Sequence, residues 1–263
     1  MQVGHERVGV LPKTQRWRSL VGQMASLGTD SVDVSDIAGQ TLRNVRGRYR
    51  NIHRDEGVAA AFEFLVLLAV AARSDDPQGK LRSFGIDVPD RPTALSFTKA
   101  GHAWMAESQS SLEYGKIARG AYSDVIASWH RKHRTAQERL FEPIDNSFEV
   151  WRTASNGAGF CELARLFFAS FTERYLKYFL EREASAVTTS IEERDRLGEE
   201  LEDHVDDISQ HAFETARIAQ SFAAGWFNNY ARENAPDRQA IKRFLWVAFG
   251  KMREELLRED PKE

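Results

Sequence analysis

Cysteine is almost absent from this sequence. Cys161 is the only cysteine in 263 residues, which excludes an intramolecular disulfide framework and a zinc site built from several cysteines. A reducing compartment is the simple inference. The first ten residues contain no continuous apolar segment of the kind found in secretory signals. We therefore expect a cytoplasmic protein.

Long apolar runs and a strong net charge are also missing. The most apolar stretch, residues 58–72, includes Glu63 and is shorter than the roughly 20 apolar residues that a membrane-spanning helix needs. We interpret it as a buried core helix and expect no membrane insertion. A net charge of −3 argues against coating of nucleic acid or anionic membrane by overall attraction, so any charged binding site must be local.

No segment shows the alternating apolar pattern and hairpin turns of β-strands. Hydrophobic residues make up 42% of the chain and charged residues 29%, a composition typical of globular proteins. We predict an all-α fold, a multi-helix bundle of about eight or nine helices. The linker around Pro143 either separates an N-terminal helical region (1–143) from a C-terminal helical bundle (144–263) or lies within one continuous domain.

The longest helical pattern extends from Ser190 to Arg232. Apolar residues recur there at three or four positions without an intervening proline. Ser190 and Glu193 form a capping-box pattern at its start, and at about 1.5 Å per residue the helix would be some 60 Å long. A short loop joins it to an aromatic-rich helix predicted from about Gly159 to Ala184. The pair predicts a long C-terminal antiparallel helical hairpin.

Four side chains on one side of that long helix are candidate metal ligands: Glu200, His204, Asp207 and His211. The same register places both histidines beside the apolar seam, where polar residues commonly fix the pairing of helices. The Glu-x-x-His spacing of carboxylate-bridged metal bundles is absent. We therefore predict no metal and no other cofactor, and a metal-dependent helical-bundle enzyme is the second alternative function.

An acidic surface extends along the same part of the chain. Carboxylates in the first turn of a helix are explained by the helix dipole, but this cluster continues over several turns. It could dock a basic surface of a partner, or the arginine-rich helix of the same chain that contains Arg43 to Arg54. The residues of this acidic surface are Glu199, Glu200, Glu202, Asp203, Asp206 and Asp207.

Two basic clusters indicate contact with nucleic acid or with a protein partner. Arginines can contact phosphates. Tyr49, which lies between arginines of the first cluster, could stack on a base if it is exposed. Tyr49 also falls on the apolar stripe of its helix, which predicts burial. The first cluster consists of Arg43, Arg46, Arg48, Arg50 and Arg54, and the second of Arg131, Lys132 and Arg134.

Three further features have structural interpretations. The segment from Asn156 to Gly159 could hold a phosphate on backbone N–H groups, but it lacks the Gly-Lys-Ser/Thr ending of phosphate loops and is better explained as a tight turn. Cys161 lies among apolar neighbours and is predicted to be a buried thiol. Arg174 and Arg182 lie near an aromatic face, and we predict carboxylate partners for them from the 190–232 helix.

No catalytic set of side chains can be assembled from the sequence. We predict a non-catalytic helical interaction protein, a scaffold or accessory subunit of a larger assembly whose partners are other protein subunits or further copies of itself. Arginine outnumbers lysine 27 to 9, which favours a GC-rich bacterial source. The first alternative function is a nucleic-acid-binding accessory protein that uses the helix from Arg43 to Arg54.

Overall fold

The computed structural model describes residues 15, 40–41, 43, 49, 51–108, 112–133, 147–187, 190–192, 195–196, 199, 217–231 and 234–258. Within these residues the regular structure is entirely helical, with eight α-helices and two short 3-10 helices, so the predicted all-α bundle is confirmed. The α-helices are α1 Glu56–Ala71, α2 Pro77–Ser83, α3 Ala94–Ala106, α4 Leu112–His133, α5 Ser147–Arg152, α6 Gly157–Val187, α7 Arg217–Tyr230 and α8 Arg238–Arg258. The 3-10 helices are Ile52–Arg54 and Thr153–Ser155.

Helix α1 lies at the centre of the bundle. Every residue in it except Glu56 and Glu63 is buried, as its apolar residues on nearly all faces predict. Asp55 caps its first turn by accepting hydrogen bonds from the backbone N–H groups of Gly57 and Val58. Phe62 packs against aromatic rings of α6 and α8, namely Phe160, Phe167, Phe168 and Phe244.

Short sequence signals determine where α2 and α3 begin and end. Asp76 accepts a hydrogen bond from the Gly79 N–H at 2.8 Å, and Pro77 occupies the first turn of α2, where its missing N–H costs nothing. Gly85 has a φ of +82°, a conformation that favours glycine, and follows the end of α2. Thr93 and Ser96 form a reciprocal capping box at the start of α3.

Helices α4 and α6 pack along each other and enclose much of the aromatic core. Trp129 on α4 stacks with Trp151 on α5 at a centroid distance of 5.9 Å. The Trp129 indole N–H donates to the Val150 carbonyl at 3.1 Å. Side chains from both sides of position 143 therefore share one hydrophobic cluster. The predicted boundary itself lies outside the described residues and stays a prediction.

The turn before α6 is built by Asn156. Its side chain accepts a hydrogen bond from the Gly159 N–H at 3.0 Å, so α6 begins at Gly157, two residues earlier than predicted. The predicted tight turn accounts for this segment, since the N–H available for a phosphate is used by the cap. A Cβ at Gly159 would lie 1.7 Å from the Thr153 carbonyl oxygen, so only glycine fits there.

The long C-terminal hairpin is not confirmed. Ile191, Glu192 and Glu199 are helical, and α7 represents the far end of the predicted long helix, but residues 200–216 lie outside the described part. Helix α7 packs on the start of α6, where the rings of Phe160 and Phe227 stack at 4.3 Å. Helices α6 and α7 are therefore neighbours, as a hairpin requires. This contact does not establish that α7 belongs to one continuous helix that begins at Ser190.

Candidate interaction surface

Tyr49, which lies in sequence among the arginines of the first basic cluster, packs in the core. This side chain is fully buried, and its hydroxyl shares a 2.7 Å hydrogen bond with the Thr172 hydroxyl of α6. Burial raises the pKa of the Tyr49 phenol. Tyr49 is therefore unavailable for stacking on a base, in agreement with its place on the apolar stripe.

The arginines of this cluster are only partly within the described residues. Arg54 is exposed and Arg43 is half-buried. Arg46, Arg48 and Arg50 lie outside the described residues. The predicted basic surface consequently stays a prediction for most of its members.

The second basic cluster is divided between surface and core. Arg131 and Lys132 are exposed, but the Lys132 ammonium pairs with the Glu162 carboxylate of α6 at 2.6 Å. The neighbouring His130 is buried and accepts a 3.0 Å hydrogen bond from the Trp151 indole N–H. Arg134 lies outside the described residues. Lys132 therefore contributes to helix packing as well as to surface charge.

The acidic surface and the candidate metal ligands are largely beyond the part of the chain that the structure describes. Glu199 is exposed and helical. The remaining members, Glu200, Glu202, Asp203, His204, Asp206, Asp207 and His211, lie outside it. Among the described residues, no group of three or more histidine, cysteine, aspartate or glutamate side chains is arranged to hold a metal ion.

A polar network ties α4 to α6 where Arg174 meets the aromatic face. Its guanidinium group donates two hydrogen bonds to the Asp124 carboxylate, at 2.6 and 2.8 Å, and the Ser170 hydroxyl donates a third at 2.6 Å. A carboxylate partner for Arg174 was predicted, but on the 190–232 helix; the carboxylate that the structure shows comes from α4. Gly120 leaves room for the guanidinium, since a Cβ there would approach it to 2.8 Å.

Two ion pairs join the buried helix α1 to α8. The Arg238 guanidinium lies 2.8 Å from the Glu63 carboxylate, and Lys242 pairs with Glu56. Burial raises the pKa of Glu63, with the positive charge of Arg238 opposing that shift. The two carboxylates of α1 that are not buried are thus both neutralised by cations of α8.

The outward face of α8 carries one of the large exposed apolar side chains of the described surface. Trp246 is 58% exposed, whereas Phe244 and Leu245 beside it are buried. A concavity of about 460 Å³ opens next to it, within the size range of sites that bind small molecules or single side chains. This concavity, the α8 groove, is lined by Trp246, Val247, Phe249, Gly250, Lys251, Arg253 and Glu254.

The exposure of Trp246 was not predicted from the sequence. The buried residues of α8 recur at helical spacing from Ile241 to Met252, and Trp246 falls outside that stripe. A tryptophan on the polar side of an amphipathic helix was the signal that could have identified it. Trp104, in contrast, is half-buried in the bundle, so a tryptophan alone would not have been sufficient.

Comparison with known protein families, with curated proteins and with solved structures gives no match for this chain. Within the helices that the structure describes, none has both the length and the apolar character needed to cross a membrane.

Proposed function

We propose that this chain is a non-catalytic helical interaction protein, a scaffold or accessory subunit of a larger cytoplasmic assembly, in a bacterial cell. The observation that carries the proposal is Trp246, a large apolar side chain left more than half exposed beside the α8 groove. Tryptophan is enriched among the residues that dominate binding energy at protein interfaces. On the described part of α8 the large apolar side chains of Phe244, Leu245 and Phe249 are buried. The exposure of Trp246 beside them favours a partner that covers it.

The charged groups of the bundle add support. Asp124 and Arg174 hold α4 against α6, and Glu63 and Arg238 hold α1 against α8. These side chains are used to join helices, and none of them lines the α8 groove. The charged residues that do line the groove are Lys251, Arg253 and Glu254, with no histidine and no second carboxylate among the lining residues that the structure describes. A role in binding fits this set better than acid–base chemistry, for which acid and base groups must converge on a cavity.

Affinity purification from the native organism, followed by mass spectrometry, tests the proposal. The tagged wild-type chain should bring specific protein subunits in fixed proportion, and Trp246→Ala should lose them. Leu95→Ala is the matched control, because Leu95 is similarly exposed at 61% but lies on α3. A stable monomer that brings no partner would contradict the proposal.

The alternative is a nucleic-acid-binding accessory protein that uses the basic helix from Arg43 to Arg54. The exposed Arg54 supports phosphate contact, but buried Tyr49 provides no stacking platform. This alternative requires binding to DNA or RNA that weakens steeply with salt and is lost when Arg46, Arg48 and Arg50 are replaced by Glu. Absence of binding at low salt would eliminate it.

A metal-dependent enzyme that uses Glu200, His204, Asp207 and His211 is the remaining alternative. Elemental analysis of protein purified without chelator tests it directly. A bound metal in fixed proportion, together with a rise in melting temperature on metal addition, would favour this alternative over the interaction protein.

A further inference from the structure

We infer that the α8 groove binds an acidic segment of a partner protein, one that inserts a large apolar side chain against Trp246. This inference rests on the proposed function and specifies the chemistry of the partner. The shape of the groove, its charge and the nature of its walls support it.

The shape of the groove provides space beside the indole ring. Gly250 follows Trp246 by one helical turn and therefore lies on the same face of α8. A Cβ placed on Gly250 would meet no atom of the described residues within 4 Å. A side chain from a partner can thus lie over Gly250 and pack against the exposed indole without displacing any described residue.

The walls of the groove favour an apolar anchor. Val247 and Phe249 line it together with Trp246. Phe249 is only 3% exposed, and its ring packs against Phe168 at 4.9 Å and Phe171 at 5.2 Å on α6. A preformed apolar wall of this kind requires little ordering when a leucine, phenylalanine or similar side chain enters.

The charge around the groove favours an acidic partner. Arg243 is exposed, and neither it nor Lys251 forms an ion pair within the described part of the chain. Among the residues that line the groove, Lys251 and Arg253 outnumber the single carboxylate of Glu254 by two to one. Arg243 adds a cation three residues before Trp246, although the whole chain has a net charge of −3. A local surface of opposite sign to the protein steers and orients a partner with complementary charge.

A protein segment fits these observations better than nucleic acid does. Single-stranded nucleic acid combines stacking with a positively charged track along its phosphates, and the carboxylate of Glu254 beside Lys251 interrupts such a track. A peptide can place carboxylates near Arg243 and Lys251 and a backbone N–H or a cation near Glu254. The apolar walls are also better suited to an aliphatic or aromatic side chain than to a polar base edge.

A phage-displayed library of 16-residue peptides, selected against the full chain, tests the inference. We expect enriched peptides to carry several aspartates or glutamates together with one large apolar residue. A fluorescently labelled enriched peptide should bind at least tenfold more weakly to Trp246→Ala and to the Arg243→Glu/Lys251→Glu double variant, as measured by fluorescence anisotropy. Leu95→Ala should bind it like wild type, and circular dichroism should confirm that each variant is folded.

Several outcomes would overturn the inference. These are enrichment of neutral or basic peptides, failure to enrich any peptide, binding that survives Trp246→Ala, and displacement of the peptide by oligothymidine at lower concentration than by unlabelled peptide. If subunits still co-purify with the wild-type chain while the library result is negative, the proposed function stands and only the partner's chemistry is wrong. If nothing co-purifies, the proposed function fails independently of the library.

Discussion

Gly159 shows how a single residue controls the start of the longest described helix. The chain turns so sharply between Thr153 and α6 that a Cβ at position 159 would lie 1.7 Å from the Thr153 carbonyl oxygen. Backbone atoms cannot move aside as the end of a flexible side chain can. The space at this turn is therefore available only to glycine.

We predict that Gly159→Ala destabilises the protein by about 3 kcal/mol, the upper part of the usual range for overpacking. Gly225→Ala is the matched control. Gly225 lies inside α7, and a Cβ there meets no atom within 4 Å in the described part of the chain, so alanine should be neutral or stabilising by up to about 1 kcal/mol. Urea denaturation followed by circular dichroism measures both. Equal effects at the two positions would contradict the close approach at Gly159.

The buried hydrogen bond between Tyr49 and Thr172 gives a second prediction at the residue scale. Tyr49→Phe leaves the Thr172 hydroxyl without this partner in the core, so we expect a loss of roughly 1–2 kcal/mol. Thr172→Val should cost a similar amount, and the double variant should lose less than the sum of the two, because both polar groups are then removed. Unfolding free energies of the four proteins measure the coupling. Additive losses would show that the hydroxyls do not depend on each other.

At the scale of elements, the junction between α1 and α8 makes stability depend on pH through Glu63. Burial raises the pKa of this carboxyl in the folded protein, so ionising it costs stability. This cost is absent at pH values below the pKa of Glu63 in the unfolded chain. It appears as pH rises through that value and is complete above the pKa of Glu63 in the folded protein.

We predict that Glu63→Gln gains stability relative to wild type as pH rises from about 4, near the unfolded pKa of glutamate, to about 7. The variant also loses the attraction between Glu63 and Arg238, which lowers its stability relative to wild type at pH values where Glu63 is charged. Because the pKa of Glu63 is nevertheless raised, the cost of burying its charge is larger than this attraction. Urea denaturation of both proteins at several pH values measures the difference. A stability difference between the two proteins that does not change with pH, or that changes in favour of the wild type as pH rises, would contradict the prediction.

Helix α8 combines three roles on its different faces. Its buried stripe, which includes Phe244 and Leu245, completes the core around Phe62. Arg238 and Lys242 neutralise the carboxylates of α1, and Trp246 faces outward. A partner bound at the α8 groove would therefore contact an element that is anchored in the core, and such rigid elements hold binding surfaces more precisely than loops do.

At the scale of the whole molecule, the core joins the two halves of the chain. Phe62, in the first half, stacks on Phe244 with a centroid distance of 5.1 Å and contacts Phe160 at 6.1 Å, both in the second half. Separation at position 143 would expose the buried faces of α1 and of α6. Since α1 is buried on nearly all sides, it depends on helices from both halves.

We therefore predict that fragments 1–143 and 144–263, expressed separately, show no cooperative thermal unfolding, whereas the full chain unfolds cooperatively. Circular dichroism melts and the dispersion of NMR amide signals measure this. Mixing the fragments should restore part of the transition, because the shared core can reform. A sharp, independent transition in either fragment would instead establish the linker around Pro143 as a true domain boundary.

Local features of the fold could be predicted because their causes are local. The burial of α1 follows from an apolar run with one interior charge, and the ends of α2 follow from Asp76, Pro77 and Gly85. The burial of Tyr49 follows from its position on the apolar stripe. The candidate site could not be predicted in the same way, because exposure of Trp246 depends on which helices cover the other faces of α8.

The sequence by itself determined that the chain is helical, where several helices begin and end, and which faces are apolar, since caps, turns and periodicity act over a few residues. Only the tertiary structure decided which helices meet. Arg174 finds its carboxylate 50 positions away in Asp124, and Tyr49 finds its partner 123 positions away in Thr172. It also decided that Trp246 stays exposed while Trp129 and Trp151 are buried. Pairing between distant segments depends on the packing of the whole core, which no local pattern specifies.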